Sequence, residues 1–110
     1  MRIGWIGGVE RNEKQLEKLA EKAGHTLDFH SGHMQGRGSG DLRSIVDRSD
    51  FLVIVTGVNS HGAVLLAKKL AQKAGRGCLV VHHCGPSRFQ SLLEAMQTRD
   101  ERQLQASGWA

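Results

Sequence analysis

A chain of 110 residues, 39% hydrophobic and 24% charged, has the length and balance of one globular domain, which excludes a disordered or fibrous polymer. Its longest apolar run is about six residues, far below the ~20 that span a bilayer, so a membrane partner is not expected. The net charge of +4 rests on lysines within predicted helices, and two tryptophans, three phenylalanines and no tyrosine offer no stacking surface for nucleic acid.

Arg2-Ile3-Gly4-Trp5-Ile6 reads as a first strand, ended by the Gly7-Gly8 turn. No basic, apolar leader opens the chain, which points to a cytoplasmic protein. A helix starts near Asn12, where Gln15 three residues on makes a capping-box-like pair. Leu16, Leu19, Ala20 and Ala23 form its apolar stripe, and Gly24 stops it. Thr26-Leu27-Asp28-Phe29-His30 alternates as a second strand, and residues 31–40 are a loop holding Gly32, Gly36, Gly38 and Gly40. A short helix over 41–48 carries Leu42, Ile45 and Val46 on one face.

Phe51-Leu52-Val53-Ile54-Val55-Thr56 is an unbroken apolar, β-branched run and therefore a central buried strand. It feeds through Gly57-Val58-Asn59-Ser60-His61-Gly62 into a helix over 63–74 that Gly75 ends. Gly77-Cys78-Leu79-Val80-Val81 is a fourth strand, followed by His82-His83-Cys84-Gly85-Pro86-Ser87-Arg88. Pro86 suits the first turn of a last helix packing Phe89, Leu92, Leu93 and Met96. Cys78 and Cys84 read as free thiols of a reducing compartment. The domain covers 1–98, and 99–110 is a C-terminal extension or tail carrying Trp109.

Strands and helices that alternate with short links predict an α/β fold: a small Rossmann-like or flavodoxin-like parallel sheet of four strands, order 2-1-3-4, with helices on both faces. Every loop after a strand then opens on one edge, where such sheets bind ligands. Five of the six histidines fall there: His30, His33, His61, His82 and His83. Gly8, Arg11, Asn59, Ser60, Cys84 and Arg88 join them.

Several familiar chemistries fail on spacing. Gly4-Trp5-Ile6-Gly7-Gly8 is not a G-x-G-x-x-G turn, and His30-Ser31 stands where a ribose-binding acid belongs. The central strand ends in Thr56 rather than a phosphorylatable aspartate, and Arg88 is four residues from Cys84, too close for a C-x5-R phosphatase loop. In Asn59-Ser60-His61 one polar residue caps the helix while His61, in its first turn, is either a bystander or a metal ligand. His30-x-x-His33 reads as a solvated loop. Of His82, His83 and Cys84 at most two can share one centre, because consecutive side chains at a strand end point apart. Arg11 and Arg88, beside glycines at helix starts, suit a carboxylate or phosphate.

Gly7-Gly8 followed by Arg11, His30-Ser31-Gly32, the apolar strand into Asn59-Ser60-His61, Lys68-Lys69 and the Gly85-x-Ser87 turn together resemble the small bacterial family known as domain of unknown function 2325. The resemblance covers about residues 3–93, and Ser60-His61 is its most distinctive piece. It implies the same fold and an association with haem, which here is non-covalent haem b because no C-x-x-C-H motif is present. On that reading the domain is a ligand-binding or sensing module. His61 is the first choice of axial ligand, and His61 and His83 are the metal-ligating candidates. Gly8, His33, Asn59 and Ser60 complete the site, and Arg11 and Arg88 meet the propionates. An open axial position takes a diatomic gas such as O2, and a homodimer interface completes the apolar pocket. Two alternatives stand beside it: a divalent-metal binder using His82, His83 and Cys84, and a small enzyme acting on a phosphorylated or nucleotide substrate with His61 or His83 as acid/base.

Overall fold

Five-residue strands build the sheet: Arg2–Ile6 (β1), Thr26–His30 (β2), Phe51–Val55 (β3) and Gly77–Val81 (β4). They pair in parallel in the order β2-β1-β3-β4. In the computed structural model, which describes residues 1–98, the helices are Glu13–Lys22 (α1), Gly38–Arg48 (α2), His61–Ala74 (α3) and Pro86–Thr98 (α4). The expected extension over 99–110, with Trp109, lies outside the described residues. No helix of the described residues is long and apolar enough to cross a membrane.

The period-2 alternation of each strand sorts its side chains onto two cores. Ile3, Trp5, Val53, Val55, Leu79 and Val81 face one side, where Leu16 and Ala20 of α1 and Phe89, Leu92 and Leu93 of α4 cover them. Ile6, Leu52 and Ile54 face the other, under Leu42, Ile45 and Val46 of α2 and Ala63, Ala67 and Ala71 of α3. The alanines repeat every four residues, so α3 lays a thin stripe on the sheet and approaches closely. Ser60 Oγ accepts the Ala63 N–H at 3.1 Å to cap that helix, and Gly75 closes it in the left-handed region at φ 68°.

Two local expectations change. Asn12 makes no side-chain cap bond, because Glu10–Asn12 forms a 3-10 turn and Asn12 itself has helical angles (φ −88°, ψ −8°), which turn its side chain away from the orphan N–H groups. The second helix starts at Gly38 rather than at 41, so the glycine loop is shorter than its composition suggests and Gly38 and Gly40 are helical.

Asp28 on β2 accepts from Arg2 Nε at 2.9 Å and from Arg48 Nε at 3.2 Å. Burial opposes its ionisation, but the hydrogen bonds from Arg2 and Arg48 outweigh that and hold its pKa below the ordinary carboxylate value. A depressed carboxylate pKa contributes stability that is present above the unfolded value and fades as pH falls through the folded one. Asp28→Asn is therefore expected to lower stability by about 1 kcal/mol or less at neutral pH, since both arginines are well exposed. Urea melts of the two proteins should converge as the buffer is taken below about pH 4. A gap unchanged between pH 7 and pH 3 would show that the carboxylate's charge plays no part.

Candidate functional site

The chain leaves β1 for β2 on one side, then returns across β1 to β3 on the other, so the order reverses between β1 and β3. Open sheets bind ligands at that switch point, beyond the carboxyl ends of the strands. Three loops meet there. Gly8 N–H donates to Val58 O at 2.7 Å, joining the β1 and β3 loops, and Gly7 N–H donates to His30 O at 2.6 Å, joining β1 to β2.

Asn59 locks these loops to one another. Its Nδ2 donates to Val55 O at 2.8 Å and to Ile6 O at 3.3 Å, while its Oδ1 accepts the Ser60 N–H at 2.8 Å. Ser60 Oγ in turn donates to Gly32 O at 2.7 Å. Gly7 (φ 96°) and Gly32 (φ 98°) both pack on the Asn59 side chain, and a Cβ on either would collide with it. Glycine is required at both positions by backbone angle and by space.

His30 sets the path of the glycine-rich loop. Its ring is buried, Nδ1 accepts from Gly32 N–H at 3.0 Å, and Nε2 lies 2.7 Å from Gly38 O. Gly38 O can only accept, so the ring proton sits on Nε2 and both nitrogens are occupied. His30 is thus a structural latch on residues 31–38 and not a free ligand.

Between these loops lies an open cleft of about 520 Å³, lined by Gly8, Val9 and Glu10, by Ser31, Gly32 and His33, and by Val58, Asn59 and Ser60. A smaller one of about 350 Å³ adjoins it, sharing Glu10, Ser31 and His33 and reaching Arg37 and Asp41. Both volumes suit a small molecule. Val9 and Val58 stand 38% and 44% exposed, so the larger cleft is edged by two apolar side chains that nothing in the described residues covers.

Of the residues singled out in the sequence, Gly8, His33, Asn59 and Ser60 come together in this cleft. His61 follows Ser60 as the first residue of α3; it is exposed, and its ring makes no hydrogen bond among the described residues. Arg11 is exposed on the 3-10 turn and is not part of the cleft wall. His83 and Arg88 form a separate group beyond β4, where Arg88 Nη1 donates to His83 O at 3.2 Å. The His83 ring lies against Gly57, whose Cβ would stand 2.5 Å from its Cε1, and 4.1 Å separates its centroid from that of His82. His82 Nδ1 is 3.3 Å from Thr56 Oγ1. Among the described residues no three His, Cys, Asp or Glu side chains gather to hold a metal ion. Burial pushes the Cys84 thiol up, against the opposing charge of Arg88, which leaves it a poor nucleophile.

Val9, Glu10 and Val58 line the cleft without having been singled out, and Ser31 and Gly32, named only within the motif of the family resemblance, line it too. The valines carried a readable signal, since each is an apolar residue directly after a strand-ending glycine in a loop that is otherwise polar or small.

The family model described as "Uncharacterized protein conserved in bacteria (DUF2325)" matches residues 2–96. A UPF0751 protein of Bacillus anthracis is 36% identical over 68 residues, which is 62% of this chain and 67% of the relative. A UPF0751 protein of Desulfitobacterium hafniense is 27% identical over 88 residues, 79% of this chain and 86% of the relative. No solved structure matches the chain. With a family model that spans every strand and the sheet's whole ligand edge, the chain belongs to the bacterial family DUF2325.

Proposed function

We propose that this domain is a ligand-binding module whose ligand sits in the cleft at the sheet's switch point. The supporting observation is the convergence there of three loops around two exposed valines and the uncommitted ring of His33, with the equally uncommitted ring of His61 at the adjoining helix start. Haem b is the ligand this reading names. The donor chemistry suits it, since His33 and His61 each present an imidazole with no other hydrogen-bonding duty among the described residues. The apolar cover from one chain is Val9 and Val58, so the exposed side of the ligand is covered by a second copy of the chain in a homodimer. Bound haem would supply an iron able to take a diatomic gas such as O2. The chain's own part would be to hold the iron through the imidazole of His33 or His61, to keep the loops in register through Asn59 and His30, and to offer valine methyls to the ring.

The alternatives find less support. The divalent-metal reading has the neighbouring imidazoles of His82 and His83 but no third donor among the described residues. The enzyme reading lacks an oriented base, because neither His61 nor His83 has its ring bonded to a carboxylate among the described residues.

An absorption titration with hemin, followed by dithionite, tests the proposal. The expected result is a sharp Soret band that saturates at a defined stoichiometry and shifts on reduction. His61→Ala is expected to abolish or move that band, and His33→Ala to weaken uptake. A broad, non-saturating band would sink the haem reading, and a band unchanged in both variants would remove both residues from the ligand set.

A further inference from the structure

Two buried side-chain polar atoms among the described residues have no hydrogen-bond partner, Trp5 Nε1 and Arg76 Nε. Arg76 still uses its guanidinium, donating through Nη2 to Asp47 O at 2.9 Å on the far edge of the sheet. Trp5 has no second polar atom, and its side chain is fully buried at 0% exposure. It lies one residue from the end of β1, at the ligand edge. Its nitrogen is 3.4 Å from the point where a Cβ on Gly8 would stand, and no other residue outside that turn comes within 4 Å of the same point. Gly8 is itself part of the cleft wall. The unused donor therefore lies directly behind a wall residue that has no side chain to shield it.

Several of the other polar groups at this edge are occupied. The Asn59 amide, the Ser60 hydroxyl and the N–H groups of Gly7 and Gly8 all have protein partners. A buried donor without a partner is disfavoured and rare, so the indole N–H favours any bound molecule that brings it an oxygen. A second set of donors borders the same cleft through Ser60. Ser60 takes the N–H groups of Ala63 and Val64, whereas those of His61 and Gly62 have no acceptor within the helix. They lie at the positive end of the α3 dipole, which favours negative charge.

We propose that the cleft recognises its ligand through an anionic oxygen group, a carboxylate or a phosphate, one oxygen of which accepts the Trp5 Nε1–H at Gly8 while its charge faces the first turn of α3. The inference rests on the cleft being the ligand site and adds the chemical class that the site selects. Gly8, at φ 92°, holds a backbone angle that glycine takes without strain and places no Cβ over the indole nitrogen.

The test uses the 15N-labelled 110-residue chain carrying Trp109→Phe, which leaves Trp5 as its single indole. Sodium acetate and sodium phosphate are titrated separately at constant pH and ionic strength, with sodium chloride as the control. The expected result is a saturable downfield shift of the Trp5 indole N–H with acetate, phosphate or both, absent in chloride, and the arm that saturates at lower concentration identifies the source of the oxygen. In the same titration followed by backbone amides, Trp5→Phe is expected to bind about tenfold more weakly. Movement of the Gly32 and His61 amides without movement of the indole overturns the role of Trp5 and leaves the cleft as the ligand site. No movement at either group with either anion overturns the anionic class, while the hemin titration, which does not depend on Trp5, decides the cleft reading separately. Because the indole signal is read with Trp5 in place, the test stands even if Trp5→Phe does not fold.

Discussion

Asn59→Leu is expected to cost on the order of 3–5 kcal/mol of stability, a large share of what a domain this size possesses. Leucine fills similar space but leaves the carbonyls of Ile6 and Val55 without the Nδ2 donor, and the Ser60 N–H without its acceptor. The loss also reaches α3, because Ser60 is both its cap and the anchor of Gly32. Asn59→Asp is a sharper variant. It keeps an oxygen for the Ser60 N–H but aims a carboxylate at two carbonyls, so its cost should be as large even though its shape is unchanged. Urea denaturation followed by circular dichroism measures both. A loss below about 1 kcal/mol for either variant would show that the loops are held by something other than this amide.

The second large effect is expected at Trp5. Trp5→Ala removes the largest fully buried side chain and its edge-on contact with Phe89, whose ring centroid lies 5.0 Å away at 75°. Cavity formation of this kind costs about 3–5 kcal/mol. Phe89→Ala should cost a similar amount, and the double variant less than the sum, because each single change already destroys the shared aromatic contact. Leu65→Ala on α3 is the matched control: that side chain is 67% exposed, so its removal should change stability by no more than about 0.5 kcal/mol. A Trp5→Ala protein whose midpoint matches that of the Leu65→Ala control would mean that the core closes around the gap.

The fold was legible because its signals are local and agree with one another. Phe51–Val55 is apolar at every position, as a strand buried on both faces must be, and short links to helical stripes leave parallel pairing as the only economical topology. The site was legible in part. Asn59 and Ser60 stand out as polar residues between a buried strand and a helix, and both prove to hold the edge together. What a histidine does there could not be read from residue type. His30, the last residue of β2, faces the core, where the backbone groups of Gly32 and Gly38 occupy both its nitrogens, whereas His33 lies in the open cleft. The use of Asn12 failed for a related reason, since capping depends on the backbone angles before the helix, which a 3-10 turn had already set. Trp5 was visible only as part of the first strand, and its unspent N–H is a three-dimensional fact with no trace in the sequence pattern.

The central claim is that ligand binds at the carboxyl edge of the sheet, between the loops that follow β1, β2 and β3. The measurement that tests it most directly is an amide correlation spectrum of 15N-labelled protein with substoichiometric hemin, whose iron broadens nearby signals. The account predicts loss of the Gly8, Gly32, Asn59 and His61 amides, with Gly24 and Gly75 at the opposite edge unchanged. Broadening centred on Gly24, His25 and Gly75, or spread evenly over the chain, would contradict it.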